Sequence, residues 1–282
     1  MKPQPFILGI FILFAIAEAL RHGFFRKAKA TRDDAIVETV STATLLLLTQ
    51  PAILLMADGL MSVAAPGARD ALIAIPILAQ LALLIVFDDM AQYWWHRASH
   101  SVPWLYSLHR AHHNAEYLSV RVVWRNNLFY YLLMPSIWFS GILIYLGLGW
   151  VYAPYIILKH LVIIGAHSEV HWDEPLYKLK RMSPLMWLVE RTISTPATHS
   201  AHHGKHQNDG ITHYKGNFGN LFFFWDVLFG TAKITREFPA EYGLEDLPES
   251  SWSEQLLWPL VKESVPLRGV EQSNMTRSTI VL

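Results

Sequence analysis

Four histidine clusters carry the chemistry this sequence can do. They are His96-Arg-Ala-Ser-His100, His109-Arg-Ala-His112-His113, His167-Ser-Glu-Val-His171 and His199-Ser-Ala-His202-His203. On a helix, residues three and four apart share a face. His96 and His100 therefore point one way, as do His167 and His171. The i, i+3, i+4 sets fall within about a third of the helix circumference. Neutral imidazole is the commonest biological metal ligand. Ten imidazoles exceed what one tetrahedral ion can use, so the spacing points to two metals with open coordination positions. The other histidines, His22, His160, His206 and His213, stand alone. A lone histidine reads first as a hydrogen-bonded core or headgroup-level residue. His160, within an apolar stretch, is a candidate support for the site, and His206 and His213 are the lone histidines expected to come nearest to it.

The elements that must position these residues are membrane spans. Hydrophobic residues make up 52% of the 282 and charged residues 16%, against about 25% charged in soluble domains. Five stretches are long and apolar enough, or nearly so, to cross a bilayer: Pro5–Leu20, Ile36–Ala57, Ala71–Phe87, Leu128–Leu148 and Tyr152–Ala166. Threonines in the second suggest packing against other helices, and Pro51 should kink it. Gly147 and Gly149 should turn the fourth back into the fifth. The first stretch imitates a cleavable leader, with Lys2, an apolar run and Ala15-Ile16-Ala17. A leader carries its positive charge before the run. Here Arg21, Arg26, Lys27, Lys29 and Arg32 follow it, so a span is expected. The same basic loop places itself in the cytosol. Two long segments, 88–127 and 167–282, then fall on the cytosolic side and hold almost every histidine.

The expected fold is therefore all-α: a polytopic membrane bundle of about four or five spans, with a cytosolic helical cap carrying a histidine-rich dimetal site. The expected division is 1–87 for N-terminal transmembrane helices and 88–235 for the histidine-box catalytic region, which includes a transmembrane hairpin at about 128–166. A cytosolic tail, 236–282, completes it, with acids at Glu241, Glu245, Asp246 and Glu249 and a solvated end after Arg268.

Composition also excludes. There is no Cys, which removes disulfides, thiolate zinc sites, iron–sulfur clusters and a Cys nucleophile. The net formal charge is zero, so no nucleic-acid partner is indicated. A zinc protease would show His-Glu-x-x-His, whereas Glu169 falls at the third position of its cluster. A bis-haem cytochrome would place single histidines deep within spans. A metal transporter would put ligands at mid-membrane depth. A transporter and a metal-dependent hydrolase remain as alternatives.

At these residues the sequence resembles the fatty acid hydroxylase/sterol desaturase superfamily. The resemblance covers about half the chain, from Asp88 to Thr231. Asp89 with Tyr93-Trp94-Trp95-His96-Arg97 is similar to that family's lead into its first box, and Thr195-Pro196-Ala197-Thr198-His199 to its lead into the last. Asn217-Phe218-Gly219-Asn220-Leu221, Trp225-Asp226 and Phe229-Gly230-Thr231 are similar to its ending. Residues Ile211–Lys215 look like an insertion. The resemblance implies a membrane monooxygenase with two iron ions, although zinc could occupy them on purification. The implied ligands are His96, His100, His109, His112, His113, His167, His171, His199, His202 and His203. It implies O2 as co-substrate and a lipid substrate: a fatty acyl chain, sterol or related lipid, hydroxylated or, alternatively, desaturated. No dinucleotide fingerprint is present, so electrons must come from an external cytochrome b5-like protein, ferredoxin or reductase. Arg97, Arg110, Arg121 and Arg125 are candidate docking residues for that donor or for a headgroup. Asp88, Asp89, Glu116, Glu169, Asp173 and Asp226 are candidates to receive the imidazole N–H groups. Trp94, Trp95, Trp104 and Trp124 suit an interfacial belt.

Overall fold

The computed structural model describes residues 3–21, 29–245, 247 and 250–262. His22, Arg26, Lys27, Asp246, Glu249 and the tail after Arg268 lie outside the described residues. Within them the chain is all-helical and forms no β-strand. Four helices among the described residues are long and apolar enough to cross a membrane: α1 (Gln4–Arg21), α2 (Arg32–Ala64), α3 (Ile77–Ser99) and a joined segment, Pro135–His167. Between α3 and that segment lies α4 (Pro103–His113). The joined segment consists of α5 (Pro135–Leu143) and α6 (Gly149–His167), which meet at Gly147. Beyond it come α7 (Ser183–Thr192), α8 (Pro196–His203), α9 (Phe224–Leu228) and α10 (Trp252–Leu257).

Local chemistry sets the helix limits. Thr31 and Asp34 form a capping box that starts α2: the Asp34 N–H donates to Thr31 Oγ1 at 3.1 Å, and the Thr31 N–H to Asp34 Oδ2 at 2.8 Å. Pro51 does interrupt the hydrogen-bond ladder. The turn before it, Leu45–Thr49, widens to the π form, with the Gln50 N–H donating to Leu45 O. The third span begins later than its hydropathy suggests. Residues 71–76 are a turn, because Pro76 caps α3 and the Leu72 N–H is taken by Leu146 O. α3 then runs without a stop through Asp88 and Asp89 into the first box. The fourth stretch also starts late. Leu128–Leu133 is a short separate helix, and Met134 and Pro135 break it from α5.

The spans are tied together by buried polar contacts as well as apolar packing. Leu84, Leu148, Val151, Ile156 and Ile164 form part of one core. Beside it the Lys159 ammonium on α6 pairs with Asp88 of α3 and lies 3.7 Å from Asp89. Ser140 of α5 and Tyr155 of α6 also donate to Asp88, at 3.0 and 2.7 Å. Glu18, fully buried near the end of α1, accepts from Ser119 Oγ, the Val120 N–H, Ser168 Oγ and the Glu169 N–H. It clamps the loops after the second and third clusters to the first span. Arg125, also fully buried, donates to Asp34 at 2.6 Å and Gln255 at 2.8 Å. Arg121 donates to Glu38 at 2.8 Å. These two arginines hold the 119–127 loop against α2 and α10. They are not a docking surface, which corrects the expectation from sequence.

The bend at Gly147 depends on having no side chain. Its φ is +106°, and a Cβ there would lie 3.0 Å from Ile73 Cβ and 3.1 Å from Asp70 Cα. Gly147→Ala is expected to cost about 1–3 kcal/mol of backbone strain. Thermal unfolding in detergent should show a midpoint several degrees lower, and an unchanged midpoint would contradict this account of the bend.

Candidate metal centre

The helix ends bring nine of the ten expected histidines into two groups. His96, His100, His109, His113 and His202 form one; His112, His167, His199 and His203 form the other. In each group one ring nitrogen per residue lies within 4.8 Å of all the others. The x-x-H-H clusters divide between the groups. On α4 the i, i+4 pair, His109 and His113, serves the first group and His112 the second. On α8 the roles are exchanged: His199 and His203 serve the second and His202 the first. At about 100° per residue, positions i and i+3 diverge by about 60° and positions i+3 and i+4 by about 100° around the helix, enough to aim His112 and His202 away from their neighbours into the other group.

Each cluster sits at a helix end for a local reason. His96 is in the last turn of α3, and His100 is the residue that caps it. Pro103 restarts the chain as α4. Thr195 and Thr198 form a capping box that starts α8, with Pro196 at its first position. Every residue of α8 is buried. The third cluster behaves differently. α6 ends at His167 because Ser168 is extended, at ψ 137°. His171 therefore does not follow His167 around a helix. It stacks on Phe238, with ring centroids 3.7 Å apart, and lies outside both groups.

Hydrogen bonding selects one tautomer for several rings. Nδ1–H of His96 donates to Phe218 O at 2.8 Å, that of His202 to Gly216 O at 2.7 Å, and that of His167 to Ile163 O at 2.8 Å. His112 Nδ1 faces two carbonyls, Val122 O and Arg125 O, at 3.1 and 3.2 Å. His109 Nδ1 meets Asn126 Oδ1 at 2.8 Å. A carbonyl can only accept, so the proton is on Nδ1 and Nε2 is a bare lone pair. Yet Nε2 of His96 and His202 are 3.0 Å apart, and Nε2 of His112 and His167 are 3.4 Å apart. Two lone pairs facing each other in a buried site repel. A cation between them removes the conflict. His109 Nε2, His113 Nε2 and both nitrogens of His100 are buried with no hydrogen-bond partner, as expected of atoms reserved for metal. The donor set thus fits two divalent first-row ions held by imidazole alone. Five donors in one group exceed a closed tetrahedral zinc site.

The acids stand one step further out than the sequence suggested. Asp226 accepts the N–H groups of Phe218 and Gly219 at 2.8 and 2.6 Å and the Thr231 hydroxyl at 2.6 Å. Burial raises its carboxyl to about 6. Asp89 accepts the Leu221 and Phe222 N–H groups and Trp225 Nε1. Between them they hold the 216–226 loop, whose carbonyls receive the imidazole protons. Asn217, at φ +56°, donates to Thr198 O and Lys233 O. The Asn-Phe-Gly motif is therefore a device for aiming carbonyls. Asp173 accepts the Ala197 N–H at the start of α8. Glu116 pairs with Lys205 at the surface. Asn126 and Glu18 were missed from sequence. For Glu18 the only signal was an acid inside an otherwise apolar run.

Two cavities reach the histidines. One, of about 100 Å³, extends from His96, His109, His112 and His167 to membrane depth, past Trp124 and Tyr152. His160 lines it, with Nδ1–H on Ile156 O at 2.8 Å. The other, about 280 Å³, reaches His100 and His113 past Tyr106, Tyr214 and Glu245. His206 lies apart from both groups, exposed and bonded to Glu245, which raises its pKa. His213 is also outside both groups.

The family model described as "Fatty acid hydroxylase" matches residues 81–231, just over half of the chain. The chain belongs to the fatty acid hydroxylase family. It is similar to alkylglycerol monooxygenases: 26% identical to the human protein over 156 residues, 55% of this chain and 31% of the relative. The zebrafish protein is 26% identical over 51% of this chain and 28% of its own length. For the Caenorhabditis elegans protein the figures are 28%, 57% and 28%. The matched stretch thus spans less than a third of the length of these relatives. No solved structure gives a significant match.

Two outcomes follow for the purified protein. His202→Ala should lose at least half of the bound metal by elemental analysis, whereas His171→Ala should keep it. Equal loss in both would contradict the division into two groups. Acid should also destabilise the metal-free form. Burial holds His100, His109, His112, His113, His199, His202 and His203 well below the usual imidazole value of 6.5. Below that value the unfolded chain takes up protons that the folded chain refuses, so stability falls as pH falls. The unfolding midpoint of metal-stripped protein should be lower at about pH 5.5 than at about pH 7.5. An equal or higher midpoint in acid would count against buried neutral imidazoles.

Proposed function

We propose that this chain is an O2-dependent lipid hydroxylase with a histidine-ligated di-iron centre. The observation that carries the reading is the set of facing, unprotonated Nε2 atoms at the mouth of a membrane-depth cavity, in a member of the fatty acid hydroxylase family. The proposed ligands are His96, His100, His109, His112, His113, His167, His199, His202 and His203. Two iron ions held there would supply the O2 activation that side chains lack. Zinc has no redox chemistry of its own. The balance is one lipid C–H, one O2, two electrons and two protons, giving one alcohol and one water. The electrons come from a donor outside this chain, a cytochrome b5-like protein, ferredoxin or reductase. By its basic loop the chain holds the site on the cytosolic side.

The chain's own residues contribute geometry and exclusion. The carbonyls of Phe218, Gly216 and Ile163 keep the rings oriented and Nε2 free. The cavity past Trp124 and Tyr152 receives the lipid away from bulk water. Similarity to alkylglycerol monooxygenases makes an ether lipid the first substrate class to try. The test is lipid mass spectrometry on cells with and without the gene, supplied with isotopically labelled O2. One labelled oxygen on a lipid is expected. Loss of two hydrogens instead would make the enzyme a desaturase, and turnover under strict anaerobiosis would favour a hydrolase. His112→Ala should abolish the product.

A further inference from the structure

One apolar face is not accounted for by the four spans. α7 exposes Leu185, Trp187 and Leu188, and α9, which packs against it, exposes Phe224 and Leu228. The depth of this face can be read from its anchor. Trp225 Nε1, beside Phe224, donates to Asp89 at 2.9 Å. The next ring along, Phe229, packs on Trp94 at 4.9 Å. Asp89 lies seven residues before His96, about 10 Å of helix rise toward the bilayer interior. α9 is therefore held alongside the membrane part of α3, where Phe87 and Trp94 are themselves exposed. An apolar surface at that depth meets hydrocarbon, not water.

The edge of the face has the charge of an anionic headgroup layer reversed. Residues 178–191 contain Lys178, Lys180, Arg181 and Arg191 but only one acid, Glu190. Glu190 is buried and accepts two bonds from Arg236, at 2.9 and 2.7 Å. Lys178 pairs with Glu174, and Arg191 donates to Glu190 at 2.9 Å and lies over the Trp187 ring. Lys180 and Arg181 are exposed and have no acid partner among the described residues. An amphipathic helix with Leu and Trp on one face and cations on its rim partitions into a lipid interface.

We infer that α7 and α9 form a platform seated in the same leaflet as the histidine clusters, with Trp187, Leu188, Phe224 and Leu228 at the hydrocarbon boundary and Lys180 and Arg181 against anionic lipid phosphates. The occupant is the bilayer that the spans already cross. The platform fixes the height of the metal centre above the hydrocarbon, because its anchor, Asp89, also holds the 216–226 loop. The inference does not depend on which reaction the centre catalyses.

The chain has no Cys, so a single introduced Cys can be labelled without background. Leu188→Cys and Leu228→Cys probe the platform, and Asn208→Cys, on an exposed loop, is the aqueous reference. Each full-length variant carries a fluorophore in vesicles of phosphatidylcholine, with or without phosphatidylglycerol. Labels at 188 and 228 should be quenched several-fold more by a shallow nitroxide lipid than by iodide, and 208 the reverse. Phosphatidylglycerol should increase quenching at 188, and the added pair Lys180→Glu and Arg181→Glu should remove that increase. Unchanged unfolding midpoints confirm that the variants fold. Iodide quenching at 188 and 228 equal to that at 208 would overturn the platform. So would labels that neither quencher reaches, which would mean a protein partner covers the face. Quenching at 188 indifferent to phosphatidylglycerol would overturn the headgroup contact.

Discussion

Lone pairs that face each other in a buried site are the constraint on which the rest of this structure depends. Nε2 of His96 and His202 stand 3.0 Å apart, each with its ring proton committed to a backbone carbonyl on the other side. Without a cation that arrangement is repulsive, and with one it is a coordination site. Proton placement is thus the means by which the fold specifies metal binding. It follows that the elements that place the carbonyls matter as much as the helices that place the rings. The 216–226 loop delivers Phe218 O and Gly216 O. The 119–127 loop delivers Val122 O and Arg125 O to His112, and Asn126 to His109.

Those loops are irregular backbone held by buried charge. Asp226 and Asp89 accept five N–H bonds from the first loop and its flanks. Glu18, Asp34 and Glu38 hold the second. A buried carboxylate is costly to desolvate unless its lone pairs are used, and here several backbone donors use them. The same logic runs through the membrane part of the bundle. Lys159, Asp88, Tyr155 and Ser140 join α3, α5 and α6 where apolar packing alone would allow the helices to slide or rotate. The cost is offset by a fixed register between the helix that carries His96 and the helix that carries His167.

The two cavities give the centre two faces. One runs to membrane depth from His96, His109, His112 and His167, and the other reaches His100 and His113 past Tyr106, Tyr214 and Glu245. The exchange of roles between α4 and α8 interleaves the two groups. Each helix contributes an i, i+4 pair to one group and its i+3 residue to the other, while α3 completes the first group with His96 and His100 and α6 completes the second with His167.

Much of this was legible in the sequence. Hydropathy and the histidine spacings depend only on local periodicity, and they yielded an all-helical membrane bundle and nine residues that do converge, while the family was legible through the resemblance of the boxes and their flanking motifs. The Gly-rich bend between α5 and α6 and the disturbed hydrogen-bond ladder before Pro51 were also readable, because backbone conformation there is set by residue type. Other features depended on distant partners. Helix spacing put His171 beside His167, but Ser168 ends the helix and Phe238 takes the ring. Arg121 and Arg125 looked like surface cations, but Arg125 is buried against Asp34 and Arg121 is partly buried and paired with Glu38. The six acids looked like direct partners of the imidazoles, and those that support the site hold loops instead. The sequence by itself determined which side chains could bind metal and that the chain crosses a membrane, since both follow from residue chemistry and short-range spacing. Only the tertiary structure decided how the histidines divide between two groups and where most of their protons sit, since the first depends on how four helices pack and the second on carbonyls brought in from loops as far away in sequence as 122 residues, from His96 to Phe218.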